Sequence, residues 1–292
     1  MNFIQIFKLL KRQWLLKIIL KIIIRRLPIP YAFWKKTGLF KHGEMDSCEY
    51  AIKIFDLHFY RAFPKKIPSN LTILEIGPGD SIASAIIGFS YGVKFTYLVD
   101  IGNYVTKDLN FYKKLVLILK RKGLKTPNIA NSKSIQEILN SCNGIYLTDG
   151  LSSLNSIKDN SIDFLWSHSV LEHVRKYQFY AIQKELLRIL KSSGLASHSI
   201  DFQDHLNHGL NNLRFSEKIW ESNLFVNSGF YTNRIPALKM HSIFKEVGFK
   251  IKRNSLGKWP KLPTKRSSIH KDFDIYSDSE LINRTSYVLL EK

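Results

Sequence analysis

Glycines and acidic residues occur at two places where a buried strand is predicted to end. Glu75, Gly77 and Gly79 lie in LTILEIGPGD, an apolar run that stops at two glycines flanking Pro78. A second apolar run, KFTYLVD, ends in Asp100, which follows Gly77 by 23 residues. In parallel sheets, ligands bind beyond the carboxyl ends of the strands, where a carboxylate can accept hydrogen bonds from both hydroxyls of a ribose. The spacing therefore indicates a site for a nucleoside.

The glycine turn lacks the features that bind the phosphates of dinucleotides and nucleoside triphosphates. A dinucleotide fingerprint needs a third glycine, and Ile82 stands at that position. The Gly-Lys-Ser/Thr of a P-loop is also absent after Gly79. The turn can instead admit an adenosine whose other end is a small zwitterion, with its carboxylate facing the positive amino end of the following helix. Asp149, which ends the run IYLTD, is then well placed beside the adenine ring.

Three histidines are candidate general bases. His173 follows the fourth predicted strand, and His205 and His208 follow the fifth, in SIDFQDHLNHG. A hydroxyl that accepts a transferred group needs a base that works near neutral pH, and histidine fits that role. The last two histidines, together with Asp201 and Asp204, could alternatively bind a divalent metal ion. A purely structural role is the third possibility, because loop histidines often form local hydrogen bonds.

Alternating strand and helix patterns must position these residues. Apolar runs predict strands at 71–76, 94–99, 144–147, 161–166, 195–200, 249–252 and 286–290, and helical spacing predicts helices at 45–63, 81–89, 111–122, 135–140, 178–190 and 239–248. Such alternation with right-handed crossovers predicts an α/β fold with a doubly wound, mainly parallel seven-stranded sheet. Residues 201–238 lack strong periodicity and are predicted to form an insertion or lid.

The segment NSIDFLWSHSVLEHV (residues 160–174), taken with EIGPGD and YLVD, resembles class I S-adenosylmethionine-dependent methyltransferases. The resemblance covers about residues 71–200 and implies a Rossmann-like methyltransferase fold with S-adenosyl-L-methionine as cofactor. It implies that the glycine turn contacts the methionine part, that one strand-end acid holds the ribose and another the adenine edge, and that a serine lines the cofactor floor. The cofactor-binding residues implied in this way are Glu75, Gly77, Pro78, Gly79, Asp100, Asp149, Gly150 and Ser167. The long stretch between the two acids departs from the family's pattern.

Residues 213–249 resemble a subgroup of these methyltransferases found in bacterial loci for surface polysaccharides, often beside glycosyltransferases. This resemblance implies that Trp220, Tyr231, Asn233 and Arg234 lie on the lid over the acceptor, although they could equally pack within it. The expected function is O-methylation of a sugar hydroxyl in a surface glycan or its lipid-linked precursor. The alternatives are methylation of a small hydrophobic metabolite, such as a quinone or polyketide, and a non-catalytic cofactor-binding adaptor at the membrane.

The amino-terminal segment, residues 1–40, differs in composition from the domain predicted at 41–292. Its first 30 residues carry seven lysines and arginines, no acidic residue, and no apolar run longer than three residues. A membrane span needs about 20 mostly apolar residues, and a signal peptide also needs a longer uncharged run. Lys17, Lys21 and Arg25 form one stripe on a helix, so we expect an amphipathic helix on an anionic membrane surface. A helix packed on its own domain or on a partner is the alternative.

The overall composition is that of a basic globular protein. The chain has a net charge of +20 and 45% hydrophobic residues. Zinc-finger spacing and RNP-type aromatic motifs are absent, so nucleic acid is not an expected partner. The two cysteines, Cys48 and Cys142, are far apart and suit a reducing compartment. The expected location is cytoplasmic and peripheral, on the inner face of the membrane.

Overall fold

A seven-stranded sheet forms the centre of the computed structural model, which describes residues 14–26, 44–65 and 68–292. The strands are β1 (Thr72–Ile76), β2 (Phe95–Val99), β3 (Gly144–Leu147), β4 (Ile162–His168), β5 (Leu190–Asp201), β6 (Lys250–Lys258) and β7 (Asn283–Glu291). Their order across the sheet is β3-β2-β1-β4-β5-β7-β6. The first five strands are parallel, and β7 runs antiparallel to both β5 and β6. The predicted Rossmann-like methyltransferase fold is confirmed.

Helices cover both faces of this sheet, and others pack in the lid beside it. The described helices are α1 (Trp14–Arg26), α2 (Cys48–Ala62), α3 (Ala83–Ser90), α4 (Leu109–Arg121), α5 (Ile135–Ser141), α6 (Leu151–Asn155), α7 (Lys176–Ile189), α8 (Glu217–Trp220), α9 (Asn223–Val226), α10 (Ala237–Val247) and α11 (Asp278–Leu281). Ser47 caps α2, since its side chain accepts a hydrogen bond from the backbone of Tyr50. The predicted helices and strands agree with the observed ones within a few residues, except that β5 begins five residues earlier and β6 extends six residues further.

The parallel strands are apolar on both faces because each face carries a separate core. Ile73 and Trp166 pack towards α2 and α3 on one side of the sheet, whereas Leu74 and Leu165 pack towards α7 and α10 on the other. Burial on both faces explains why the parallel strands read as continuous apolar runs instead of alternating patterns. Strands β2 and β3 extend the sheet on one side of β1, whereas β4 and β5 extend it on the other side. The direction in which successive strands are added therefore reverses between β1 and β4, the position at which such sheets bind ligands.

The segment predicted as a lid forms a compact layer of short elements. It contains a 3-10 helix (Asn211–Arg214) and the single-turn helices α8 and α9. An aromatic core holds these pieces together; its buried members are Ile18, Leu206, Trp220, Phe225, Phe230 and Tyr231. No element of the lid is long enough to give a sequence periodicity, which explains the absence of a helical or strand pattern.

Helix α1 contributes to this lid core. Ile18 is buried in it, and the ring of Trp14 meets Phe215 edge to face at 5.9 Å. The Nζ of Lys17 donates a hydrogen bond to the carbonyl of Leu206, and burial lowers the pKa of Lys21 to about 8. The first two members of the predicted basic stripe thus face the protein, and the described part of the helix packs on its own domain. Residues 1–13 and 27–40 of the predicted amino-terminal segment lie outside the described residues. Among the described helices, none is long and apolar enough to cross a membrane.

The packing of α1 on the lid predicts unequal effects for two similar substitutions in one helix. Ile18→Ala should lower the free energy of unfolding by about 2–4 kcal/mol, because it leaves a cavity in the lid core. The control Ile23→Ala should change it by less than about 0.5 kcal/mol, since Ile23 is exposed. Urea unfolding followed by circular dichroism measures both values, and equal effects would contradict the described packing.

Candidate active site

The turn after β1 requires glycine for two physical reasons. Gly77 and Gly79 have φ angles of 68° and 64°, a region that residues with a Cβ rarely adopt. A Cβ on Gly77 would also lie 2.4 Å from the Cγ2 of Val170, a side chain in the segment after β4. The backbone N–H of Gly77 donates to the carbonyl of Val99 at 2.8 Å and so ties the turn to β2. The ends of β1, β2 and β4 therefore meet at this turn.

Asp100 is held at the end of β2 with its carboxylate beside the glycine turn. Its two oxygens accept hydrogen bonds from the backbone N–H groups of Gly79, at 3.3 Å, and Ile101, at 2.7 Å. Burial raises the pKa of this half-buried carboxyl to about 6. A carboxylate has about four lone-pair positions, so two remain for the hydroxyls of a ribose. The geometry agrees with the predicted ribose contact.

Glu75 lies on β1, two residues before Gly77, and is almost completely buried. Its Oε2 makes no hydrogen bond of normal length, and burial raises the pKa of the carboxyl to about 7, although Ser84 and Trp166 lie close enough to oppose that rise. A buried acceptor without a partner is costly, so it marks a place where a donor is expected to bind. The ammonium group of a methionine would supply that donor. The orphaned oxygen therefore fits the predicted contact with the zwitterionic end of the cofactor.

The loops after β2 and β3 form the edge of the site at which adenine is predicted. The N–H of Gly150, whose φ is 53°, donates to the carbonyl of Asp100 at 2.9 Å, while the side chain of Asp149 is exposed. Ile101 covers Gly150, and 80% of its side chain is solvent-accessible. A large apolar side chain in this position can pack against the face of an aromatic base. Sequence reasoning missed Ile101, although an apolar residue directly after the ribose acid was a usable signal.

Ser167 occupies a different environment from the one expected of a residue on the cofactor floor. Its side chain is fully buried within the sheet, and its Oγ lies 2.8 Å from the Nδ1 of His198 on β5. The side chain is therefore already engaged between β4 and β5. Its predicted contact with the cofactor stays untested.

Two of the predicted histidines meet in a cleft between the segment after β4 and the lid. The rings of His173 and His205 stack at 4.8 Å, and their Nε2 atoms are 3.2 Å apart. The Nδ1 of His173 is 2.7 Å from the carbonyl of Tyr231. His173 has an exposed surface, yet enough protein surrounds it for desolvation to lower its pKa, and His205 is half-buried. His208 is exposed on the same loop, with a positive φ of 56°.

Comparison with known proteins agrees with this arrangement of strand ends. Residues 74–197 match the family model described as a methyltransferase domain, which spans β1 to the middle of β5. Residues 74–197 therefore form a methyltransferase domain. The chain is a methyltransferase enzyme, and S-adenosylmethionine is its cofactor. When bound, this cofactor supplies a methyl group on a positively charged sulfur.

Several solved structures resemble the methyltransferase. An S-adenosylmethionine-dependent methyltransferase from Archaeoglobus fulgidus is 12% identical, with 90% of this chain and 100% of that chain covered and a TM-score of 0.47. One from Methanosarcina mazei is 15% identical over 80% of this chain and 97% of that chain, with a TM-score of 0.47. Phosphoethanolamine N-methyltransferase 2 from Haemonchus contortus, in complex with S-adenosyl-L-methionine, is 15% identical. The match covers 82% of this chain and 52% of that chain, with a TM-score of 0.45. The comparison with curated proteins gave no match.

The four lid residues expected to contact the acceptor have partners inside the methyltransferase. Trp220 is fully buried, and its Nε1 donates to the carbonyl of Thr232. Tyr231 is also buried, with its hydroxyl directed to Glu221. Asn233 donates from its amide to two backbone carbonyls, and the guanidinium of Arg234 pairs with Glu217 at 3.1 Å. These contacts are structural, and the predicted contacts with an acceptor stay untested.

The alternative of a metal site at the loop after β5 finds no support in the described part of the chain. No group of three or more histidine, cysteine, aspartate or glutamate side chains there could hold an ion. The carboxylate of Asp204 instead accepts backbone hydrogen bonds from Leu206, Asn207 and Asn211, at 3.0, 2.6 and 2.5 Å. Asp204 therefore organises the loop that presents His205.

The ribose contact can be tested by removing the Asp100 carboxylate. Asp100→Ala should weaken the binding of S-adenosylhomocysteine by about 1–3 kcal/mol, because a charged hydrogen-bond acceptor is lost. Isothermal titration calorimetry measures the change, and Asp274→Ala, which removes an exposed carboxylate elsewhere, should leave the affinity unaltered. Wild-type affinity in a folded Asp100→Ala protein would remove this residue from the site.

The orphaned carboxyl of Glu75 predicts that cofactor binding is linked to pH. A positive ammonium group beside Glu75 favours the ionised carboxylate and lowers its pKa from about 7. Binding should then release a proton below pH 7, and affinity should rise with pH until the free protein is itself ionised. Calorimetry in buffers with different ionisation enthalpies counts the released protons. Glu75→Gln should abolish the release, and an unchanged release in this variant would assign it to another group, such as Asp100.

Proposed function

We propose that the methyltransferase transfers the methyl group to a sugar hydroxyl, in a surface glycan or in its lipid-linked precursor. The observation that carries the proton-transfer part of this proposal is the contact between His173 and His205 in an accessible cleft. Methyl transfer is an in-line displacement, so the protein mainly aligns the acceptor and removes its proton. A hydroxyl is a weak nucleophile while it keeps its proton, and a positioned imidazole can remove it.

The hydrogen bonds of the pair determine which nitrogen can accept that proton. A carbonyl oxygen only accepts hydrogen bonds, so the Nδ1 of His173 must donate to Tyr231. A neutral His173 then has its lone pair on Nε2, which faces the Nε2 of His205 at 3.2 Å. His205 must therefore donate from Nε2, and its lone pair lies on Nδ1. In this arrangement, His205 is the base and His173 is a positioning residue that fixes its tautomer.

Burial keeps the pair neutral and makes it a weaker base in the free protein. Burial, with His173 and Lys21 nearby, lowers the pKa of His205 to about 3, and burial also lowers the pKa of His173. The same surroundings oppose the formation of an imidazolium ion. The cofactor loses its positive charge as the methyl group leaves, so a positive charge can form on His205 without increasing the total charge of the site. Asp201, whose charge acts to raise the pKa of His173, further favours protonation of the pair.

A polar acceptor is consistent with the loop that carries the base. Asn207 and His208 are exposed on this loop and can exchange hydrogen bonds with hydroxyl groups. The resemblance of residues 213–249 to methyltransferases of polysaccharide loci supports a sugar as the acceptor. The basic amino-terminal segment supports a location at the cytoplasmic face of an anionic membrane, where a lipid-linked precursor would be available.

The acceptor class can be identified by transfer of a labelled methyl group. The enzyme is incubated with methyl-labelled S-adenosylmethionine and, separately, with sugar nucleotides, with a lipid extract, or with purified surface polysaccharide. We expect label in the polysaccharide or the lipid-linked saccharide, and mild acid should release it as a methylated sugar. Label in a lipid fraction that yields no methylated sugar would instead identify a small hydrophobic acceptor.

The roles of the histidines predict different effects for three glutamine substitutions. His205→Gln should lower turnover by roughly 10²–10⁴-fold and leave cofactor affinity intact, since only the base is lost. His173→Gln should also lower turnover, but less, because it changes the tautomer and orientation of the base. His208→Gln is the comparison from the same loop; it removes a contact with the acceptor but no base, so it should weaken acceptor binding and retain the rate at saturating acceptor. Single-turnover rates with the identified acceptor test this order, and wild-type turnover in His205→Gln would exclude His205 as the base.

A further inference from the structure

Helix α1 presents a row of large apolar side chains to solvent. We call this the outer row: Leu15, Leu16, Ile19 and Ile23, with 51, 43, 49 and 55% of each side chain exposed. Residues 15, 19 and 23 are spaced by four, so they lie on one face of the helix, and Leu16 extends that face. Single exposed apolar residues are ordinary, but a contiguous row on one helix marks an interaction surface.

The opposite face of α1 makes the arrangement more unusual, because two lysines point towards the protein. The Nζ of Lys17 donates to the carbonyl of Leu206, and the charge of Lys21 acts on His173 and His205. A helix that only covered its own lid would keep its lysines in water. Here Ile18 and Ile24 are buried, yet the two lysines share the inner side and four large apolar side chains stay exposed.

At the carboxyl-terminal end of α1, the exposed apolar surface continues from the outer row onto the lid. Arg26 donates a hydrogen bond from its guanidinium to the carbonyl of Leu224 at 3.4 Å, and 46% of the Leu224 side chain is exposed. The exposed apolar surface therefore includes one residue of α9 as well as the helix. The lid and the helix present this surface as one body, because Ile18 joins their core.

An arginine lies at each end of the helix that carries the outer row, and these positive charges indicate the kind of surface that binds the row. Arg26 is exposed at one end of the helix. At the other end, the guanidinium of Arg214 lies 5.2 Å from the ring centre of Trp14. The first 30 residues contain seven basic side chains and no acidic one. An apolar strip bordered by cations is complementary to a bilayer whose surface carries anionic headgroups above an apolar interior.

We propose that the outer row and Leu224 dock on an anionic bilayer, with α1 lying in the plane of the membrane surface. The inner face of the same helix contacts the loop that carries His205, so docking fixes the catalytic cleft next to the bilayer. An acceptor attached to a lipid then reaches the base without leaving the membrane surface. This last step rests on the proposed function, whereas the docking itself does not.

Flotation with lipid vesicles tests the docking face without any acceptor. The full-length protein is mixed with vesicles of phosphatidylglycerol and phosphatidylcholine, or of phosphatidylcholine alone, and bound protein is measured after centrifugation. We expect binding to the anionic vesicles, weaker binding to the neutral ones, and a decrease as salt is added. The double variant Ile19→Glu/Ile23→Glu should bind the anionic vesicles at least about tenfold more weakly. The control is Leu117→Glu, which places one glutamate at a leucine with 54% exposure on α4 and should bind as the wild type does.

Two further measurements keep the outcomes distinct. Circular dichroism and S-adenosylhomocysteine calorimetry should be the same for all variants, because the outer row is remote from the glycine turn. If the double variant fails to fold, the milder Ile23→Ser replaces it and should still reduce binding.

Vesicle binding by the folded double variant at the wild-type level overturns the proposal. So does a concentration-dependent dimer of the wild type that the double variant abolishes, since a second copy would then cover the row. Failure of the acceptor assays alone would overturn the proposed function and leave the docking face standing.

Discussion

The close approach of Gly77 to Val170 is the contact on which the rest of the site depends. It leaves no space for a Cβ, so the cofactor turn and the segment after β4 must move together. That segment carries His173, whose backbone N–H donates to the carbonyl of Val170 at 2.8 Å. The distance between the methionine turn and the histidine pair is therefore set by backbone contacts and not by flexible side chains. Such rigid positioning is what an in-line transfer requires of an enzyme.

The lid fixes the same segment from its other side. The backbone N–H of Asn233 donates to the carbonyl of Glu172 at 2.7 Å, and its side-chain amide donates to the carbonyls of Leu171 and Val174. These three bonds satisfy three carbonyls in a short turn that has no regular partner. Asn233 thus holds the histidine segment in place, which explains why it is buried. The polar residues expected to bind a sugar also build the lid that positions the two histidines.

Much of the sheet follows from the sequence because burial on both faces produces long apolar runs, and the residues at their ends are then easily located. The two glycines, Asp100 and their meeting point could be predicted in this way. The environment of Ser167 could also have been predicted, since alternate residues of a strand face opposite sides and Trp166 packs towards α2. The lid could not be predicted from the sequence, because turns of four residues leave no period to detect.

The rotation of α1 could not be predicted either. A helix with lysines on one side and isoleucines on the other can pack with either side facing inward. Only the tertiary contact of Ile18 decides between them.

The rotation of α1 connects the membrane surface to the chemistry. In water alone, it is unfavourable to turn two lysines towards the protein, and it is also unfavourable to expose four large apolar side chains. On a bilayer, the outward position of the apolar side chains becomes favourable, because the row leaves water on docking. The inward lysines have a separate consequence: burial, with the charge of Lys21 added to it, lowers the pKa of His205 to about 3. A helix with the opposite rotation would remove the positive charge from beside the histidine pair and leave an apolar wall there. The same orientation therefore links the proposed docking surface to the electrostatics of the two histidines.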